Sequence, residues 1–227
     1  MTIMGELLLA GAMFLGAHLG VSSTPLRGVL IRTIGERAYL GVYSLMAVVT
    51  LVYLIAVYNH SSHVEFLWLP TPALQGIAFL IMPFAFIFLL GAFLTPNPTA
   101  IGQESAMKVA GAGLIRITRH PLQWAIVFWA IAHIIANGDL ASLLFFGTLG
   151  TLSLAGAFLI DVKKARSMGE DWTSFASTTS NVPFVAIFQS RNRLVWREIM
   201  LPIVAGFGIY ALVLWGHVWV SGVALIG

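Results

Sequence analysis

The chain has 227 residues, 59% of them hydrophobic and only 9% charged, with a mean hydropathy of +0.91 and a formal net charge of +3. This lies far from soluble composition and reads as an all-α integral membrane protein, one domain over 1–227 with no room for a separate soluble one. Cysteine is absent, which excludes disulfides, thiolate-ligated metal and covalently attached haem, so any metal must rest on His, Met or carboxylate.

Six segments reach or approach the ~20 residues a helix needs to cross the hydrocarbon core. They run over 3–21, 39–58, 73–94, 120–136, 140–160 and 199–221. The first has no basic region before it, is interrupted by Glu6 and lacks a small-residue cleavage pattern, so it is expected to be a retained helix. Pro70 and Pro72 open the third segment, Pro83 lies inside it and Thr-Pro-Asn-Pro at 95–98 closes it. A kink at Pro83 is expected, on a face packed against protein that can satisfy the freed carbonyl. The fourth segment is the shortest, and Asn137-Gly138-Asp139 after it is a tight-turn signal that makes the fourth and fifth segments an antiparallel hairpin. The polar stretch from Asp161 to Glu198 reads as an ordered cytoplasmic cap.

All 12 Lys and Arg residues fall in three alternate connections. Arg27, Arg32 and Arg37 lie in the first, Lys108, Arg116 and Arg119 in the third, and Lys163, Lys164, Arg166, Arg191, Arg193 and Arg197 in the fifth. By the positive-inside rule these connections face the cytoplasm. The expected architecture is therefore a bundle of about six transmembrane helices in a bacterial inner membrane, with both termini on the non-cytoplasmic side. The basic surplus is a topology signal with some attraction for anionic lipid. No P-loop, no Gly-x-Gly-x-x-Gly after a strand and no basic stripe interleaved with aromatics is present, so the lipid bilayer is an expected partner and nucleic acid is not.

The histidines divide by position. His60 and His63 lie in the second connection among Asn59, Ser61 and Ser62 and read as a solvated loop. His120 precedes Pro121 at the entrance of the fourth segment; Pro at the first helical turn is ordinary, whereas the Arg119-His120 pair before it also suits an anionic headgroup or ligand carboxylate. His18, His133 and His217 sit inside apolar segments, where a polar side chain is costly and usually functional. An interhelical hydrogen bond accounts for any one of them; three together favour a site. His133 shares its helix face with Trp129 and Asn137, and His120 points about 140° away from it, so the two are separate features. His18 stands between Gly16 and Gly20 with Phe14 one turn back. Such a small-xxx-small pair serves close helix contact or makes room for a flat macrocycle. Imidazole without neighbouring carboxylates favours haem over a bare hard cation.

The motifs GAHLG, IGERAYLGVYS, NPTAIGQE, GLIRITRHPLQWAIVFWAIAHIIANGDLASLLFFG, GEDWTSFASTTSNVPF and WGHVWVSG follow one another from the first helix to the last. In this order they resemble the NnrU family, whose relatives include the plant 15-cis-zeta-carotene isomerase. The resemblance implies an association with denitrification and nitric-oxide metabolism. From the plant branch it implies a haem b enzyme that isomerises a carotene double bond. It also implies His18 and His133 as haem ligands and nitric oxide or an apolar isoprenoid as partner. One position departs: where the plant branch has a cysteine three residues before the second histidine, this chain has Ala130. An exchange of histidine for thiolate on the iron is closed to it.

Depth raises an objection to that pair. At ~1.5 Å per residue, His18 lies roughly 6 Å inside the cytoplasmic boundary and His133 roughly 20 Å, a difference of about 15 Å. By depth alone His217 is the better partner for His133. A second class of function also competes, because Arg-His-Pro, Asp161, GEDWTSF and Val182-Pro183 resemble the cytoplasmic end of membrane methyltransferases of the isoprenylcysteine carboxyl type, which bind S-adenosylmethionine there. A haem-free structural or assembly role is the third reading. The expected centre is haem b at His18 and His133, with His217 as substitute ligand and Arg119 and His120 holding a propionate or lipid phosphate.

Overall fold

The computed structural model describes residues 2–21, 24–100 and 111–225; Lys108 and the end of the NPTAIGQE motif lie outside them. Helix α1 (Ile3–Leu15) runs into a π-helical turn at Gly16–Val21. There follow α2 (Leu26–Ile34), α3 (Glu36–His60), α4 (Pro72–Leu94), a 3₁₀ turn at Gly113–Arg116, α5 (Pro121–Asn137), α6 (Leu140–Met168), α7 (Glu170–Thr178), α8 (Val185–Phe188) and α9 (Trp196–Ser221). Among the described residues there is no strand beyond one isolated bridge, Phe66 to Asp139.

Local chemistry fixes many of these ends. The Thr2 hydroxyl accepts from the Gly5 N–H and caps α1. Pro72 and Pro121 open α4 and α5 at the position where a missing N–H costs nothing. Gly138, at φ +73°, ends α5, and the Asp139 carboxylate accepts from the Ser142 N–H to start α6, so the Asn-Gly-Asp turn is as the sequence indicates. Helix α4 continues through Pro83.

Five helices are long and apolar enough to cross a membrane: Ile3–Val21, Glu36–His60, Pro72–Leu94, Leu140–Met168 and Trp196–Ser221. Large apolar side chains lie exposed along them, Leu45, Leu80 and Val204 among others, as a lipid-facing surface requires. The protein is a multi-pass membrane protein. The fourth expected span, 120–136, is found at Pro121–Asn137 and is apolar but has 17 residues, because Arg-His-Pro and Asn-Gly-Asp bracket it. At ~1.5 Å per residue it covers about 26 Å, less than a typical hydrocarbon core of about 30 Å.

Two compact units make up the chain, with the divisions falling inside α4, α5 and α6. The first comprises Met1–Ala78 and Ala130–Leu152. Here the Tyr53 hydroxyl of α3 donates to Glu6 of α1 at 3.1 Å, and a methyl added at Gly11 would lie 2.7 Å from the Thr148 hydroxyl of α6. Loop residues 61–70 are strapped across the α5–α6 turn. The Gly138 carbonyl accepts from Leu67 N–H, the Glu65 carbonyl from Leu140 N–H, and the Trp68 indole donates to the Ile135 carbonyl. Only glycine fits position 138, since a Cβ there would collide with the Trp68 carbonyl.

The second unit comprises Phe79–Trp129 and Ser153–Gly227. Its core joins Phe88, Leu114, Ile117, Ala125 and Ile199. Gly206 of α9 lies against the backbone of Ile87 in α4, a methyl there falling 2.7 Å from Ile87 Cα. Arg116 grips Glu198 with two N–H bonds, at 2.7 and 3.0 Å, and the Gly113 N–H donates to the same carboxylate. The Asp161–Glu198 stretch is ordered, as the cap reading expects: the end of α6, then α7 and α8. Trp172 and Phe175 pack on Ile115, and the Phe184 N–H donates to the Ile117 carbonyl.

Candidate functional site

His18 and His133, the two histidines singled out as ligands, both lie in the first unit. His18 sits in the π-helical turn after α1, and widened turns of this kind are frequent at functional sites. Its Nδ1 N–H donates to the Phe14 carbonyl at 2.8 Å, which selects the tautomer whose lone pair is on Nε2. Metal-binding histidines adopt the same arrangement, one nitrogen oriented by a carbonyl and the other carrying the lone pair. Phe14 packs on the imidazole with ring centres 4.3 Å apart, and Tyr43 meets it edge-on at 6.0 Å. Tyr43 stacks on Tyr39 at 5.8 Å, and the guanidinium of Arg27 in α2 lies over Tyr39 at 5.6 Å. A methyl added at Gly16 or Gly20 would meet no described atom within 4 Å, so neither glycine is used for close helix contact with a described residue.

His133, on α5, stacks on Phe146 of α6 at 4.6 Å, and Phe146 meets Tyr58 of α3 at 5.8 Å. Ala130, one turn before His133, lies against Gly150, where an added methyl would come within 3.1 Å, and Gly147 is open at that level. The depths of the two histidines can be read from these contacts. His133 stands three residues past the Ala130–Gly150 contact, and His18 seven past the Gly11–Thr148 contact. Their backbones are therefore offset by about 12 Å along the helix axes, and the His18 ring reaches back about one turn toward Phe14. His217 belongs to the second unit, near the end of α9, where Nδ1 is hydrogen-bonded to the Ser221 hydroxyl at 2.8 Å and the Val223 carbonyl at 3.0 Å.

Arg119 and His120 are also in the second unit, in a network centred on Asp161 of α6. The Arg119 guanidinium binds both carboxylate oxygens, at 2.9 and 2.6 Å, and lies over the Trp172 ring at 5.4 Å. His120 is fully buried and its Nε2 N–H donates to Asp161 at 2.6 Å. The Asn181 amide donates to the second oxygen at 3.0 Å. Thr118 and Trp124 both donate to the Asn181 carbonyl, and the Arg119 N–H to that of Ser180. The Arg-His-Pro and GEDW segments are thus brought together, around an anion the protein itself supplies. Burial pushes the His120 pKa down; the Asp161 carboxylate opposes this and Arg119 adds to it. Asp161 stood out in the sequence by itself, whereas Asn181 appeared only as part of the GEDWTSFASTTSNVPF motif, with no role of its own.

His63 lies in an exposed loop, as the sequence indicates, and is in addition tied to a buried carboxylate. His63 donates to Asp139 at 3.0 Å and meets the Tyr58 ring edge-on at 4.9 Å; Asp139 is 4% exposed. Tyr58 shares a hydrogen bond with Ser142 at 3.1 Å. Burial would raise the Asp139 pKa, but the bonds from Ser142 and His63 hold it below the ordinary value. His60 is exposed, as expected, but ends helix α3 rather than lying in the loop, with Nδ1 bonded to the Ala56 carbonyl one turn back. Among the described residues no group of three or more His, Cys, Asp or Glu is placed to hold a metal ion.

Comparison with known proteins adds the relationship. The chain is 32% identical over 189 residues to the chloroplastic 15-cis-zeta-carotene isomerase of Arabidopsis thaliana, covering 78% of this chain and 48% of that protein. It is 30% identical over 197 residues to the chloroplastic 15-cis-zeta-carotene isomerase of Zea mays, covering 83% of this chain and 52% of that one. The chain thus spans about half the length of these curated relatives. No solved structure matches. The NnrU family model, described as NnrU protein, matches residues 6–225, and the chain belongs to that family.

Proposed function

We propose that this protein binds haem b in its first unit through His18 and His133 and acts as a cis–trans isomerase of an apolar polyene. The observation that carries the reading is the similarity to two 15-cis-zeta-carotene isomerases over about four fifths of this chain. The residues present fit the cofactor. His18 holds the tautomer of a metal ligand, Gly16, Gly20 and Gly147 leave open faces beside the two imidazoles, and Phe14, Tyr43 and Phe146 supply flat apolar surface. With no three-residue ligand cluster among the described residues, a metal here would bring most of its own donors, as haem does.

When bound, haem would supply a redox-active iron able to perturb the π-electrons of a conjugated chain. The protein's part is orientation and exclusion. The Phe14 carbonyl fixes the His18 ring, and Phe146 fixes that of His133. The aromatic surfaces bind a polyene by dispersion and keep water from it. Arg27 makes no ion pair with any described residue and closes the ring series that begins at His18, which suits it to a carboxylate of the bound cofactor. Arg119 already has Asp161. Placing the Arg-bearing connections on the cytoplasmic side of a bacterial inner membrane follows the positive-inside rule.

The test is conversion. Haem-loaded protein in lipid, reduced and supplied with 15-cis-zeta-carotene, should turn the central cis bond trans, read by chromatography. Haem-loaded protein that leaves the carotene unchanged contradicts the isomerase reading. A Soret shift on adding nitric oxide to the same protein would then favour the gas-binding role that goes with the family.

A further inference from the structure

Among the described residues, the Asp161 network leaves two buried atoms without a hydrogen-bond partner, His120 Nδ1 and the Asn181 side-chain oxygen. Their hydrogen-bonding character is fixed by the carboxylate between them. Asp161 receives four donors, two from Arg119 and one each from His120 and Asn181, which fills the lone-pair sites of a carboxylate. His120 therefore presents N–H at Nε2, and in neutral imidazole the lone pair is at Nδ1. Asn181 must turn its amide nitrogen toward Asp161, since the opposite orientation would set oxygen against carboxylate. Its oxygen, too, is an acceptor. Burial pushes the His120 pKa down, in the direction of this assignment.

The side chains carrying these acceptors are nine-tenths or more buried, His120 at 0% and Asn181 at 7% exposure. Most buried polar atoms in folded proteins have a partner, and buried water is the usual one where protein supplies none. The charge environment narrows the choice. An anion would face two lone pairs, and a cation would lie beside Arg119 with no carboxylate lone pair left to hold it, since Asp161 is filled by its four donors. We propose that His120 Nδ1 and the Asn181 oxygen form a binding site for a neutral hydrogen-bond donor, a water molecule or the hydroxyl or amine end of a small ligand. This site is independent of the haem reading and lies in the unit that contains neither His18 nor His133. It also differs in sign from an anion site at Arg119 and His120.

The experiment is nitrogen-15 histidine spectroscopy of the full chain in lipid bilayers, with the His120 signals assigned by their loss in His120→Gln. The expected result is an unprotonated Nδ1 displaced toward the hydrogen-bonded range, with a cross-peak to a nearby proton. Equilibration in heavy water distinguishes the sources. Loss of every nearby proton signal marks water, and retention of carbon-bound proton signals marks a ligand carried through purification. Asn181→Leu, which removes one acceptor, should abolish the cross-peak; if that variant does not fold, the parent spectrum decides alone. A protonated Nδ1, or an unprotonated Nδ1 with no hydrogen-bond displacement and no proton beside it, overturns the proposal.

Discussion

Asp161→Ala should be among the most damaging single changes in the second unit. It removes the shared acceptor of Arg119, His120 and Asn181 and leaves a guanidinium only 13% exposed with no counter-charge. Breaking one side of a buried ion pair costs about 3–5 kcal/mol; with Asp161 17% exposed, solvent relieves part of this, so the low end, about 3 kcal/mol, applies. For a chain of this size each kcal/mol moves the melting temperature by about 2–4 °C, so a fall of about 6–12 °C is expected. Thiol-reactive dyes have nothing to label in a chain without cysteine, so the assay is intrinsic tryptophan fluorescence of detergent-solubilised protein during heating. Asp171→Ala, on the exposed side of α7, is the control and should melt with the parent. Asp161→Leu combined with Arg119→Met should regain part of the loss, since no guanidinium is left without a counter-charge although His120 and Asn181 still lack their acceptor. If Asp161→Ala melts at the parental temperature, or the double variant is worse than the single one, the network does not hold this unit together as argued.

Acid should destabilise the protein through His120 and Asp139. Both have folded pKa values below their unfolded ones, so the unfolded state binds more protons and stability falls as pH drops, for His120 below about 6.5 and for Asp139 below about 4. Melting temperature should therefore decline between about pH 7.5 and about pH 5.5, and His120→Asn should flatten that slope. Gly206→Ala should destabilise by about 2 kcal/mol or more, because its methyl meets the Ile87 backbone, whereas Gly208→Ala, in open space, should be neutral within about 0.5 kcal/mol; thermal melts compare the two. Arg27→Ala should speed haem transfer to an apoglobin acceptor, and Arg32→Ala, exposed on α2, should not.

The spans were legible because an apolar run of fixed length is a one-dimensional signal. The first was expected at 3–21, where α1 and its π-turn lie, and Asn-Gly-Asp marked the α5–α6 turn. Helix α2 was not foreseen, since LRGVLIRTI is short and its arginines read as topology. The sequence also exposed His18 and His133 as polar groups in apolar helices, and Phe14 as the ring against His18. Partnerships were not legible. His63 finds Asp139 76 residues away and His120 finds Asp161 41 away, and no local pattern encodes either pairing. Reading Arg119 as an external anion binder followed from seeing its charge without its partner. Reading His63 as solvated loop was right for its backbone and exposure and missed only the buried carboxylate beneath it.

The measurement closest to the central claim is an absorption spectrum of the purified protein, oxidised and reduced, beside those of His18→Ala and His133→Ala. A Soret band with a b-type pyridine haemochrome is expected, reduced in both variants and unchanged in His60→Ala. Folded protein from haem-sufficient cells with no Soret absorption, or a Soret band of full strength in both variants, would contradict haem ligation by His18 and His133.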